Sequence, residues 1–235
     1  MKVSIGFNRH LESNWLAQTA SWVASGIEGK ELKDKIDTLL TPDFTSQVAK
    51  DKTRNLLFGI WSKLPKHIPN DFQRDAANLL MEYSELNLVF HWGMMLSKYP
   101  FFKSVVEQIG RLTKLNDSFL YSQLEQRITE NYGDTSTIKR SMQFVVRTLM
   151  NLELLANPKQ GIYQLRKPIQ VNNPSIKAWL VEASVYSEQV TSRSLTAIND
   201  ENVWFPFDLY FDENDLSQNG RLEAHHQAAD VIVFV

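Results

Sequence analysis

The chain has 235 residues, a formal net charge of −2, 43% hydrophobic and 22% charged residues, and no cysteine. That composition fits a globular protein with room for two domains or one large core, and it excludes disulfides, thiolate nucleophiles and thiolate metal sites. A near-neutral charge also excludes coating of nucleic acid by bulk electrostatics, so any contact with DNA has to come from a local patch.

The amino terminus through Trp15 has no apolar run of signal-peptide length. Nowhere do about 18 uncharged apolar residues follow one another, the minimum for a spanning helix. A cytoplasmic protein without a membrane partner is therefore expected.

The first region, 1–64, reads as helical. Trp15, Thr19, Trp22 and Val23 form one stripe ended by Gly26, and Leu32, Ile36, Leu39 and Leu40 form a second stopped by Pro42. A third helix over 46–62 turns Val48, Thr53, Leu56, Leu57, Ile60 and Trp61 inward and Lys50, Lys52 and Arg54 outward to solvent. Pro65 and Pro69 break the chain before the second region, 70–170. Helices are predicted there over 71–83 and 84–98. The latter is apolar nearly all round, with His91 as a packed core histidine. Pro100 suits the first turn of the next helix, over 101–115, and Gly110 within it predicts close approach of a neighbouring helix.

The centre of the chain combines a readable fold with readable chemistry. Tyr121, Leu124 and Ile128 mark one helical face, and Ile138, Met142, Val145, Val146, Leu149 and Leu152 mark another. Between them Gly133 suits a left-handed helix C-terminus, and residues 134–137 offer several N-caps. Residues 156–161 cannot continue a helix, and 162–165 read as a strand. The expected fold is a winged helix-turn-helix over 98–167 with a two-stranded wing. The polar side of its second helix carries Lys139, Arg140, Gln143 and Arg147. From 98 to 170 eleven basic residues face six acidic ones, a local charge of +5. Thr135, Ser136 and Thr137 at the helix start and Lys159 in the wing complete a candidate double-stranded-DNA surface. Gln143 is placed to reach a base edge, and the cations phosphates.

The third region, 171–235, begins with a linker and a helix capped by Ser175 that carries Ile176, Trp179, Leu180, Ala183 and Tyr186. Residues 193–198 suggest a short helical turn. Strands are predicted over 203–211 and 230–235. From 199 onward eight acids face Arg221 alone, a charge of −7. Asp208, Asp212, Glu213, Asp215, His225 and His226 are ingredients for a metal-dependent nuclease, but adjacent histidines on a strand point to opposite faces and no ligand motif is matched. With no phosphate-cradling glycine motif and no nucleophile elbow, the chain is read as non-enzymatic, without cofactor, catalytic residues or metal. The competing reading is a protein adaptor that docks other subunits on the aromatic helix 86–96 and the strand 203–211, using the winged fold as a scaffold.

Several short patterns together resemble small winged-helix accessory proteins of bacterial phage-defence loci of the BREX-like kind. They are His91-Trp92-Gly93-Met94, Tyr99-Pro100-Phe101-Phe102, Ile109-Gly110-Arg111-Leu112, Arg127 with Glu130 and Tyr132-Gly133-Asp134, Arg147-Thr148-Leu149, and Leu222-Glu223-Ala224-His225. The resemblance covers about 90–163 and the tail, and carries no catalytic residues. It implies a non-enzymatic subunit that touches DNA or bridges a defence complex beside an ATPase, helicase or methyltransferase. The expected fold class is mainly α: a helical N-terminal region, a central winged helix-turn-helix and a small α+β C-terminal region.

Overall fold

The computed structural model describes residues 5–228 and 230–235. Residues 1–4, the start of the first predicted region, lie outside them. Four helices come first: α1 (Ser13–Ala24), α2 (Gly29–Leu40), α3 (Gln47–Ser62) and α4 (Asn70–Glu82). Trp15 and Thr19 of α1, Leu32, Ile36 and Leu40 of α2, and Leu56, Leu57, Ile60 and Trp61 of α3 are buried, as their spacing predicts. The start of α3 is turned differently from its predicted face. Lys50 and Arg54, expected in solvent, both donate to Asp37 of α2 at 2.8 Å, and Val48 is left 63% exposed. The ammonium hydrogen bond from Lys50 is the main reason the Asp37 carboxyl titrates below the ordinary range.

A 3-10 turn over Ser84–Leu86 precedes α5 (Asn87–Lys98), in which Val89 to Ser97 are all buried. Gly93 is the reason α9 (Pro174–Ser187) can lie against it, since a Cβ there would collide with the Trp179 ring. Asn173, and not the predicted Ser175, caps α9. Its Oδ1 accepts from the Ser175 and Ile176 amides, and Pro174 occupies the first turn without needing a donor. His91 is packed edge-on to Trp61, ring centroids 5.5 Å apart. Burial pushes its imidazole down to about 3, so it is neutral in the core.

The centre runs through α6 (Pro100–Leu112), β1 (Ser118–Leu120), α7 (Tyr121–Tyr132), α8 (Ser136–Asn151), β2 (Leu155–Lys159) and β3 (Ile162–Leu165). Pro100 sits in the first turn of α6 as expected. The predicted two-stranded hairpin is present as β2–β3, and β1 joins it to make an antiparallel sheet in the order β1-β3-β2, with Phe119 opposite Tyr163 and Leu155 opposite Leu165. The close neighbour predicted at Gly110 is there, but it is the Asn202 backbone carbonyl in a 3-10 turn, not a packed helix. Gly133 ends α7 at φ 91° and ψ 148°, a positive-φ conformation that favours glycine as expected, with ψ outside the αL well.

The remaining elements are β4 (Ile169–Gln170), β5 (Ser192–Ser194), α10 (Leu195–Asn199), β6 (Phe207–Asp208), α11 (Glu213–Leu216), β7 (Glu223–Gln227) and β8 (Asp230–Phe234). β4 and β6 pair in parallel, and β5-β8-β7 form an antiparallel sheet. The strand predicted over 203–211 shrinks to the two residues of β6. The adjacent Val203 and Trp204 both enter the core, which alternation along a half-buried strand would not allow, and Pro206 has no amide to give to a sheet. One hydrophobic core runs from Phe7 to Val233 across all three predicted regions. The chain is mainly helical with a small sheet-containing C-terminal region. Among the described residues no helix is long and apolar enough to cross a membrane.

This packing buries most of the two surfaces assigned to the adaptor reading, leaving Tyr210 66% exposed. Phe90, Trp92, Met94, Met95 and Leu96 of α5 are at most 1% exposed, and Trp92 meets Phe102, Phe205 and Phe207 at 5.3–5.8 Å. The aromatic helix and the 203–211 segment cover each other.

Candidate nucleic-acid interface

α8 is amphipathic in the way its sequence dictates. Ile138, Met142, Val145, Val146 and Leu149 are buried at helical spacing, each worth about 1.5–3 kcal/mol on full burial, and this fixes which side chains face out. Thr135 caps the helix. Its Oγ1 accepts from the Ile138 amide at 3.3 Å, so that hydroxyl already has a task, worth about 1 kcal/mol. Ser136, Thr137, Arg140, Gln143 and Arg147 are exposed. Lys159 is exposed at the tip of the β2–β3 hairpin, where the Asn157 side chain donates to its carbonyl at 2.9 Å.

The predicted cations are not equivalent. Lys139 is held by Asp134 at 2.8 Å and by Glu125 of α7 at 3.0 Å, and these bonds, Asp134 first, raise its pKa. It ties the start of α8 to α7, and the Asp134 carboxylate puts negative charge beside the helix start where a phosphate was expected. Arg140, Arg147 and Lys159 have no carboxylate within salt-bridge distance among the described residues, and neither do Arg166 and Lys167 just after β3.

The +5 read from the sequence also includes two lysines that never reach the surface patch. Lys98 lies against the C-terminal end of α3 and donates to the Gly59 carbonyl and, at 2.7 Å, to the Ile60 carbonyl. Burial pushes its ammonium down to about 7. Lys103 is 9% exposed and donates to Ser187 at 2.9 Å, to Glu201 at 3.0 Å and to Glu188. Arg111 pairs with Glu107 at 2.6 Å within its own helix.

The structure adds residues to this face that sequence reasoning missed. The segment before α1 is strapped along α8: the Leu11 amide donates to Thr148 Oγ1 at 3.0 Å, and Asn151 Nδ2 donates to the Leu11 carbonyl at 3.0 Å and to Glu12 at 2.8 Å. The strap brings Arg9 to 5.5 Å from the Phe144 ring centroid, while Arg140 lies 5.7 Å from the same ring. His10 is 6.2 Å from Phe144 as well. Burial lowers the His10 pKa most. Glu12 opposes that shift, and Arg147 and Arg9 reinforce it. No spacing rule links positions 9 and 144; Phe144 alone was legible, as the one aromatic on the polar side of α8.

The acids and histidines of the tail disperse. Asp215 accepts from Lys177 at 3.4 Å and from the Asp212 amide at 2.8 Å, His226 pairs with Glu213 at 3.0 Å, and His225 with Glu223 at 3.6 Å. Asp208 accepts from the Gln170 side chain. Among the described residues no group of three His, Asp or Glu side chains is placed to share a metal ion.

No protein-family model, curated protein or solved structure matches the chain.

Proposed function

We propose that residues 98–167 form a winged helix-turn-helix that binds double-stranded DNA without catalysing a reaction on it. The order helix, strand, helix, helix, strand, strand and the β1-β3-β2 sheet support the motif, with α8 as the helix that enters the major groove and the β2–β3 hairpin as the wing. The observation that carries the reading is the exposed stripe Arg140, Gln143 and Arg147, whose two cations have no carboxylate to neutralise them among the described residues. Unpaired guanidinium groups on one helix face suit backbone phosphates, and an amide between them suits a base edge. Lys139 has a lesser part because two acids already hold it. Thr135 acts as a cap, and Ser136, Thr137 and Lys159 extend the surface at its ends. The resemblance to accessory proteins of phage-defence loci extends the proposal to a subunit of a larger assembly with an ATPase, helicase or methyltransferase.

The test is binding of a fluorescent random-sequence duplex over a salt series. Wild type is compared with a variant carrying Arg140→Ala, Gln143→Ala and Arg147→Ala, checked for unchanged thermal unfolding. Wild-type affinity should fall as salt rises, and the variant should lose both affinity and salt slope. Equal binding by the two proteins, or none by either at low salt, overturns the proposal.

A further inference from the structure

The strap is pinned on both sides of Arg9. Phe7 is fully buried, its ring 5.3 Å from Phe102 and 5.8 Å from Tyr99, and Leu11 is fully buried and hydrogen-bonded to α8 through Thr148 and Asn151. Arg9 is therefore not on a loose tail. Three residues of backbone between two anchors, Asn8 to His10, leave its side chain a narrow range of positions over Phe144.

Two guanidinium groups brought to one half-buried ring repel each other. Burial, and then the charge of Arg140, makes the protonated form of Arg9 less favourable than in water. Nothing among the described residues relieves this. The Arg9 Nη1 donates only to the neighbouring Asn8 carbonyl at 2.9 Å, and its Nε is shielded from solvent with no partner. An anion shared by the two guanidinium groups at their exposed Nη atoms would relieve the repulsion. Glu12, the carboxylate of the strap among the described residues, accepts from Asn151 and lies 3.8 Å from His10.

We infer that Arg9 and Arg140, gathered over Phe144 by the strap, form a composite phosphate site that takes one backbone phosphate of duplex DNA lying along α8. The inference rests on the DNA-binding reading and adds to it a residue from the other end of the chain. Because the strap's backbone is fixed to α8, Arg9 sets the register of the duplex as well as adding charge. The site also accounts for an aromatic on the polar side of the helix: Phe144 gathers both guanidinium groups at one ring.

The experiment uses the same duplex and salt series with Arg9→Ala, Arg9→Lys and the triple α8 variant, each with its unfolding midpoint measured. A bridged phosphate predicts that Arg9→Ala weakens binding about tenfold and lowers the salt slope by about one, with unfolding shifted little. Arg9→Lys should recover the salt slope but only part of the affinity, since an ammonium keeps the charge and loses the paired geometry. If Arg9→Ala binds as wild type while the triple α8 variant is impaired, the composite site is wrong and the α8 reading survives. If wild type and all variants fail to bind, both fall. A salt slope unchanged in Arg9→Ala, with affinity lost in proportion to unfolding, assigns Arg9 a structural role and overturns the site.

Discussion

Two groups of cations in this molecule are chemically alike and are used in opposite ways. On the α8 face, Arg9 and Arg140 meet over Phe144 and Arg147 acts on His10 beside them, with no carboxylate within salt-bridge distance of the three among the described residues. In the seam between α6, α9 and β5, Lys103 and Arg193 converge on Glu201, which is 8% exposed and accepts from Lys103 at 3.0 Å, from Arg193 at 2.8 Å and from Ser184 at 2.8 Å. The seam is satisfied internally and holds the C-terminal region to the centre. The α8 face is left open. Local net charge counts both groups alike, so a positive segment is informative about partners only after its neutralised members are subtracted.

The largest effect should come from breaking the seam. Glu201→Ala removes the acceptor shared by Lys103 and Arg193, leaving Lys103 with Glu188 and the part-buried Arg193 with no carboxylate among the described residues, which costs on the order of 3–5 kcal/mol. Against a total stability of about 5–15 kcal/mol, this should move the urea midpoint far to lower concentration with an unchanged slope. A loss below about 1 kcal/mol would mean the seam relaxes to water and does not differ from the surface in the way described.

Next comes His91, whose interior is defined by the absence of any charge partner. Its folded pKa of about 3 lies below the ordinary value of 6.5, so between those limits the unfolded chain binds the extra proton. The contribution is complete above pH 6.5 and is lost progressively as pH falls toward 3, on the order of 4 kcal/mol over the window. Equilibrium unfolding across that range should show stability falling with acid, and His91→Phe should flatten the fall. An equal slope in the variant would place the proton elsewhere.

A smaller loss is expected from Lys98→Met. The substitution keeps the apolar stem but leaves the Gly59 and Ile60 carbonyls at the end of α3 without their donor, a cost of about 1–3 kcal/mol read from urea unfolding. No change at all would show that another group or water takes over those carbonyls.

How much of this was legible follows from what periodicity can carry. The helices α1 to α8 and the buried stripe of α8 repeat at helical spacing, so the sequence exposes them, and Pro100 marks where α6 begins. β1 was missed because three residues, Ser118 to Leu120, are too few to show alternation, and their pairing is set by β3 more than forty residues later. Lys103 was within reach: it lies on the same helical face as Val106 and Gly110, a buried arc on which a lysine needs an acid. The acids that meet it, Glu188 and Glu201, follow no pattern in the chain. Arg9 is the harder case, because what places it is a pair of hydrogen bonds between Leu11 and positions 148 and 151. Spacing rules read one element at a time, and the composite surface belongs to two.

The smallest effect on folding, and the sharpest test of the contrast, belongs to the open face. Arg140→Ala and Arg147→Ala each remove an exposed charge without leaving a buried partner, so each should change stability by less than about 1 kcal/mol, Arg140 the more because it lies over Phe144. Both should still weaken duplex binding and lower its salt slope by about one apiece. Lys139→Ala serves as the internal control on the same helix. Its charge is already met by Asp134 and Glu125, so removing it should leave the salt slope close to wild type. If Lys139→Ala lowers the slope as much as Arg147→Ala, those acids do not neutralise it when DNA binds, and the division of this helix into spent and unspent cations fails. If only the two arginines matter, the carboxylates around a basic helix decide which of its charges reach a partner.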